Sequence, residues 1–348
     1  MAQLEFLKEV TEPGPEVLQD AEVVRTLAAL PPLVPGGGTK VESLADWQAA
    51  RKQVRRAWLE FLGPMPERPE VQLEVLKEDR PDGLIRQLVR YESEPGLPVE
   101  GYLIRPAENL GRGKRAGIVA LHQTTNESID YIAGVGSSPE QSIGLRLARE
   151  GFVVFCPRCF LWQDVSSLNE AVEKFRKRHP RTLGMHKMLY DAQRAVDVLA
   201  SLPEVDADRI GATGHSLGSK ETFYLLAFDE RVRGGVASEG GLRFTSTNWE
   251  APWYLGRGIQ QPDFPLDHHQ LLALIAPRPF LVLAGEKGPG AADGRRSWPL
   301  LLAAQEIDWL YGEPTTLGLY NHGQGHSIPD LAWQRLVAWL KASTAARA

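Results

Sequence analysis

Apolar positions along the chain change their period once, near residue 70. Over residues 41–62 they recur at helical spacing, with Leu44, Trp47, Val54, Trp58 and Leu62 set among Arg, Lys and Glu, until Gly63, Pro64 and Pro66 stop the run. Beyond it the apolar runs are short. Residues 71–77, 84–91 and 99–104 read as strands separated by the turn signals Pro81-Asp82-Gly83 and Pro95-Gly96, which predicts an antiparallel opening to a sheet. Apolar runs at 117–121, 152–155, 209–213, 234–238, 280–284 and 316–320 then alternate with helical stretches at 141–150, 185–202, after Ser216, at 269–275 and at 328–340. That alternation predicts an α/β fold with a mostly parallel central sheet covered by helices on both faces.

The same pattern predicts an N-terminal helical extension, residues 1–70, packed on an α/β domain, residues 71–348. PPLVPGGG at 31–38 reads as a loop, and no internal repeat argues for a further cut. Composition adds little: 43% apolar and 24% charged residues describe a chain able to bury a full core. A net charge of −5 supplies no field to draw in nucleic acid or an anionic membrane, so a small-molecule or carbohydrate partner is expected. The first residues show no basic stretch followed by an apolar run, and no segment is apolar enough to span a bilayer, which makes the cytoplasm the expected location. The 2 cysteines, in FCPRCF, supply half of a structural zinc site and read as two semi-buried thiols at a strand end.

The sharpest chemical signal is GHSLG at 214–218, a G-x-S-x-G pattern between the predicted strand RIGATG and a predicted helix. A serine there sits on a tight bend, Gly214 and Gly218 let strand and helix pass closely, and the Leu217 amide opens the helix where it can meet an oxyanion. A serine hydroxyl needs a base, and of 8 histidines His326, in the final loop NHGQGHS, fits the order nucleophile, acid, histidine. His322 competes with it from the same loop, and His215 points away from its neighbour Ser216. The acid should follow the strand ending at Ala284, where AGEKGPGAADG offers Asp293 and Glu286. Glu239, in the SEGG turn after the preceding strand, is a third choice behind both. LHQTTN at 121–126 can give a second oxyanion amide from Gln123 or Thr124, with His122 holding the loop.

The succession LHQTT, GHSLG, APRPFLVLAGE, ADG followed by SWP, and a closing GHS resembles the acetyl xylan esterase-like and dienelactone hydrolase-like branch of the α/β-hydrolase superfamily. LGPMP and PVEGYLIRP extend the likeness over nearly the whole chain. The resemblance implies an α/β-hydrolase fold and a serine esterase removing acetyl or related acyl groups, some from sugars, without metal or organic cofactor. It implies Ser216, Asp293 and His326 as the triad, with Leu217 and Gln123 at the oxyanion hole. Two departures stand out: Gly288 occupies a place where many relatives carry an aspartate, and the nucleophile is Ser216 where dienelactone hydrolases proper use a cysteine.

Around this constellation, Arg158, Arg243 and Trp249 are candidate substrate contacts, with Trp162, Trp253 and Tyr254 beside them. Asp267-His268-His269-Gln270 reads as a helix-start capping arrangement rather than a metal pair, since adjacent side chains diverge. KFRKRHPR at 174–181 reads as a solvated helix face and loop. A glucuronoyl esterase or peptidase on the same triad, or a metal-dependent hydrolase using the histidines, is the alternative.

Overall fold

The computed structural model describes residues 1, 3–37, 40–108, 113–137, 142–312 and 314–346. Its short apolar runs pair into one sheet of 9 strands: β1 (Glu74–Asp79), β2 (Leu84–Glu94), β3 (Leu97–Pro106), β4 (Arg115–Leu121), β5 (Val153–Pro157), β6 (Val205–His215), β7 (Val232–Ser238), β8 (Phe280–Ala284) and β9 (Leu317–Asn321). The spatial order is β1-β2-β3-β5-β4-β6-β7-β8-β9. The first three strands are antiparallel hairpin neighbours, β3 also meets β5 antiparallel, and β5, β4, β6, β7, β8 and β9 run parallel. β6 begins four residues earlier than its apolar run because Val205 already pairs with Arg115.

Parallel strands buried on both sides need helices on both sides, and two apolar clusters supply them. One holds Trp58, Leu199, Phe223, Tyr224 and Leu272; the other holds Leu147, Trp333, Leu336 and Trp339. The helix Leu44–Leu62 belongs to the first cluster. Ser43 caps it, its stripe Trp47, Val54, Trp58 and Leu62 is buried, and Gly63 ends it at φ 86. Trp58 stacks on His268 and donates from Nε1 to Gln270 Oε1 at 3.0 Å, while Arg51 and Arg55 reach the carbonyls of Leu274 and Phe228. At Gly63 a Cβ would overlap the Arg181 carbonyl, so glycine is what lets the chain leave the helix there.

The helix expected at 141–150 is Ile143–Arg149; Gln141, like Gly38 of the expected loop, lies outside the described residues. The helix Trp298–Trp309 was not anticipated, because WPLLLAA is apolar on every side and carries no period to read. The helix Leu168–Arg178 carries most of the basic run, with Ala171, Val172 and Phe175 buried beneath it. Among the described residues no helix is long and apolar enough to cross a membrane.

The carboxyl ends of β4, β6, β7, β8 and β9 all open on one edge of the sheet, where loops build a site in open α/β folds. With its sharp strand-to-helix bend after β6, this is the α/β-hydrolase arrangement that the motif order implied.

Candidate active site

Ser216 stands between the last residue of β6 and the helix Leu217–Phe228, at φ 58 and ψ −114. An L-residue is strained in that region, and such strain concentrates at functional positions. The bend survives because no side chain obstructs it: a Cβ at Gly214 would overlap the Gly218 carbonyl, and one at Gly218 would overlap the carbonyl of Leu121 on β4. Ser216 N–H donates to Ser238 O at 2.8 Å, tying the bend to the end of β7. The Leu217 amide opens the following helix, where the first N–H groups have no partner in the helix itself.

A cleft of about 250 Å³ opens over this bend and is lined by Ser216, Leu217, Thr124, Lys220, Glu239 and His326, with Leu161, Trp162, Trp253 and Tyr254 as apolar and aromatic walls. His326 is held from three sides. Its N–H donates to Pro289 O at 3.2 Å, its ring packs on His215 with centroids 4.5 Å apart, and Gly290 lies flat against its Cβ. Its Nδ1 lies 3.8 Å from Glu239 Oε2, which leaves Nε2 as the nitrogen free to serve the cleft. His215 is buried, with Nδ1 3.0 Å from Ser238 Oγ, and burial followed by the neighbouring His326 pushes its pKa down to about 3.

The three carboxylates weighed for the acid are separated by their partners. Glu239 is fully buried at φ 56, a second strained non-glycine residue at the end of the strand beside the nucleophile's. Burial would raise its pKa, but the imidazoles of His322 and His326 and the amides of Ala292 and Gly285 outweigh that and hold it down at about 2. Asp293 faces the other way. It accepts from the amides of Gly241 and Leu242 at 2.8 Å each and from Ser297 Oγ at 2.6 Å, with its pKa raised by burial and by the charge of Glu239. Glu286 accepts from Arg295 N–H at 2.8 Å and Asn321 Nδ2 at 2.7 Å. Among the hydrogen bonds and ion pairs of the described residues, Asp293 has its partners in Gly241, Leu242 and Ser297, and Glu239 has one in His326. Asp293 pins the Gly240-Gly241 turn from behind, and Glu239 at the front of that turn is the carboxylate beside His326.

On the oxyanion side, Thr124 lines the cleft, whereas Gln123 turns its carbonyl onto His122 Nδ1–H at 2.8 Å. His122 Nε2 accepts from Cys159 N–H at 3.2 Å, and burial lowers its pKa to about 4, so this neutral ring joins the loop after β4 to the segment carrying Leu161 and Trp162. The candidate substrate contacts divide. Arg158 is committed to Glu100 at 3.1 Å and Arg243 to Glu22 at 2.7 Å, and neither lines the cleft. Trp249 is buried, donates from Nε1 to Gly241 O at 2.7 Å, and stands behind the cleft wall against Lys220 and Tyr254.

Lys220 is the residue that sequence reasoning passed over. Its Nζ sits 4.1 Å from the Trp249 ring centre and 4.4 Å from that of Tyr254, and it donates to Thr247 Oγ1 at 2.6 Å. Burial brings its pKa down to about 7. The available signal was position, since a residue four after the nucleophile shares its face of the helix.

The remaining polar candidates are structural. His268 donates from Nδ1 to Leu242 O at 2.6 Å and accepts at Nε2 from the Tyr224 hydroxyl at 2.9 Å, and Asp267 with Gln270 forms the capping box. Cys156 and Cys159 are buried free thiols.

The sequence pattern of the Dienelactone hydrolase family matches residues 100–273, half of the chain, from β3 to within the helix His268–Ile275 and across the serine bend. YtaP of Bacillus subtilis (strain 168) is 22% identical over 250 residues, 68% of this chain and 80% of its own length. In structure the chain is similar to a glucuronoyl esterase from Solibacter usitatus, at TM-score 0.74 and 17% identity over 90% of this chain and 98% of that one. It is also similar to a CE15 glucuronoyl esterase from Teredinibacter turnerae T7901, at TM-score 0.68 and 21% identity over 95% and 92%. The family pattern thus spans the very bend that presents Ser216, and the chain belongs to the dienelactone hydrolase family, as a hydrolase of the α/β-hydrolase superfamily.

Proposed function

We propose that the protein is a serine carboxylic-ester hydrolase acting on esters of carbohydrates, with Ser216 as nucleophile, His326 as base and Glu239 as acid. The carrying observation is one cleft in which a strained serine at a helix start shares the wall with a histidine backed by a buried, anionic carboxylate. Ser216 Oγ attacks the ester carbonyl as His326 Nε2 takes its proton, and the amides of Leu217 and Thr124 meet the oxyanion. The alcohol departs with the proton from His326. Water, deprotonated by the same nitrogen, then releases the acid from the acyl-enzyme.

The cleft walls support a sugar. Trp162, Trp253 and Tyr254 offer flat faces, while Lys220, Thr247 and Asn248 offer hydrogen bonds suited to hydroxyl groups. Simple short-chain acyl esters of sugars fit this lining. A cleft of about 250 Å³ is also far larger than an acetyl group, and with Lys220 so near the nucleophile this favours a second reading in which the acyl part is itself a sugar acid. The two structures named above, both described as glucuronoyl esterases, lend that reading support.

The test is a fluorophosphonate followed by peptide mass spectrometry and a substrate panel. One adduct, on Ser216, is expected, with undiminished activity in chelator and higher kcat/KM on acetylated sugars or glucuronate esters than on an aryl acetate. An unlabelled Ser216 overturns the serine mechanism, and loss of activity in chelator favours a metal-dependent one.

Lys220→Met is expected to raise KM for the sugar esters about tenfold or more, the worth of a hydrogen bond from a charged donor. Because Lys220 loses its proton near pH 7, the wild-type KM should climb above that pH while that of the variant stays flat. Parallel pH profiles for the two proteins would remove Lys220 from substrate binding.

A further inference from the structure

Four donors surround the Glu239 carboxylate, and the proposed reaction uses only one of them directly. The Gly285 amide and His322 face Oε1, and the Ala292 amide and His326 face Oε2. His322 is the unexplained member. Its side chain is 2% exposed, and its Nε2 lies 3.6 Å from Glu239 Oε1. Its Nδ1 accepts from Gln324 N–H at 3.3 Å, which places the ring proton on Nε2, and its own N–H donates to Ala284 O at 2.9 Å. That buried Nε2–H has no acceptor within hydrogen-bond distance among the described residues, and Glu239 is the group it points toward.

We propose that His322 is a positioning residue of the hydrolytic site, which holds the Glu239 carboxylate against His326 and takes a share of its charge. The inference rests on the reading of Glu239 as the acid. Both imidazoles come from the single stretch His322-Gly323-Gln324-Gly325-His326, where Gly323 at φ 71 gives the tight turn that lets two rings reach one carboxylate. A carboxylate shared by two N–H donors attracts each less strongly than it would attract one. His322 therefore fixes the direction of Glu239 and also moderates how far it stabilises the imidazolium of His326 in the transition state. Other titratable groups around His322 are His215 and His326 on the inner side. On the outer side Glu9, Glu12 and Glu16 of the N-terminal segment, Glu286 and Lys287 after β8, and Arg295 line the same hollow.

His322→Phe removes the donor and keeps a ring, whereas His322→Gln restores an N–H near the same place. For His322→Phe, kcat is expected to fall about tenfold to a hundredfold at unchanged KM, because losing the direction of the carboxylate outweighs the gain from its undivided charge. The acid limb of kcat/KM should move to higher pH, because the undivided charge of Glu239 then bears on the His326 imidazolium alone. His322→Gln should recover most of kcat. Combined with Glu239→Gln, His322→Phe should add no further loss.

Wild-type kcat with an unmoved limb in His322→Phe overturns the inference, as do losses that multiply in the double variant. A fall in kcat matched by a lowered melting temperature and not rescued by glutamine also overturns it, assigning His322 a structural role. Should His322→Phe fail to fold, the acid limb of His322→Gln decides: a limb and kcat close to wild type support the inference, and a loss as deep as that of Glu239→Gln defeats it. Full activity in Glu239→Gln is a separate result and sinks the acid assignment itself.

Discussion

Glu239→Gln is expected to lower kcat about 10⁴-fold with little change in KM, the loss that follows when the proposed triad acid becomes an amide and the histidine is left in the wrong tautomer. The site makes the amide especially unwelcome. Both oxygens of Glu239 face N–H donors, so whichever way glutamine turns, its NH₂ opposes a backbone amide on one side and an imidazole N–H on the other. Asp293→Asn supplies the contrast. That side chain accepts from Gly241, Leu242 and Ser297, so its conversion should cost stability of about 1–3 kcal/mol, the penalty for opposing a buried donor, and change kcat far less. Paired kcat and urea-denaturation measurements on the two variants separate the roles. A 10⁴-fold loss in Asp293→Asn beside a nearly active Glu239→Gln would restore Asp293 as the acid.

The difficulty of choosing among Glu239, Glu286 and Asp293 shows which parts of such a site sequence can carry. Ser216 stands out because the chemistry proposed for it imposes local rules, two glycines and a strand followed by a helix within a few residues. His326, the proposed base, stands out by its place in the chain order. The acid has no comparable local signature, since any loop at the carboxyl edge of the sheet can bring a carboxylate to the imidazole. The order Ser216, acid, His326 is satisfied by Glu239 as well as by Asp293, and only the folded chain shows Glu239, at the end of β7 beside β6, 3.8 Å from the His326 ring. A hint was present in SEGG, where two glycines free the turn beyond Glu239, but a glycine pair alone does not say which way a side chain faces.

The fold was legible for a related reason. Runs such as 280–284 and 234–238 are bounded by turn residues, and their length and composition suffice to read them as strands. Trp298–Trp309 escaped because a helix buried on nearly every side loses the polar face that makes period visible. Arg158 and Arg243 show an electrostatic limit of the same reading. An arginine near a pocket looks like a ligand in sequence, while in the folded chain Glu100 and Glu22 have already claimed both guanidinium groups. Lys220 is the converse, a buried cation held mainly by the faces of Trp249 and Tyr254, whose position no charge pattern along the chain announces.

Ser216→Gly is expected to abolish turnover, by about 10⁶-fold in kcat, and at the same time to stabilise the fold. The first effect follows from removing the attacking oxygen. The second follows from the backbone: at φ 58 and ψ −114 a residue with a Cβ costs roughly 1–3 kcal/mol, and glycine does not. Glycine also loosens the unfolded chain, which returns about 0.5–1 kcal/mol of that gain. The net change should favour the folded state by about 1 kcal/mol, read as a urea midpoint shifted upward at unchanged slope. Ser216→Ala keeps the Cβ and hence the strain, so it should lose activity equally and gain no stability. If glycine and alanine leave the midpoint in the same place, the bend is not strained, and the reason for finding the proposed nucleophile at this position would have to be sought in the Leu217 amide alone.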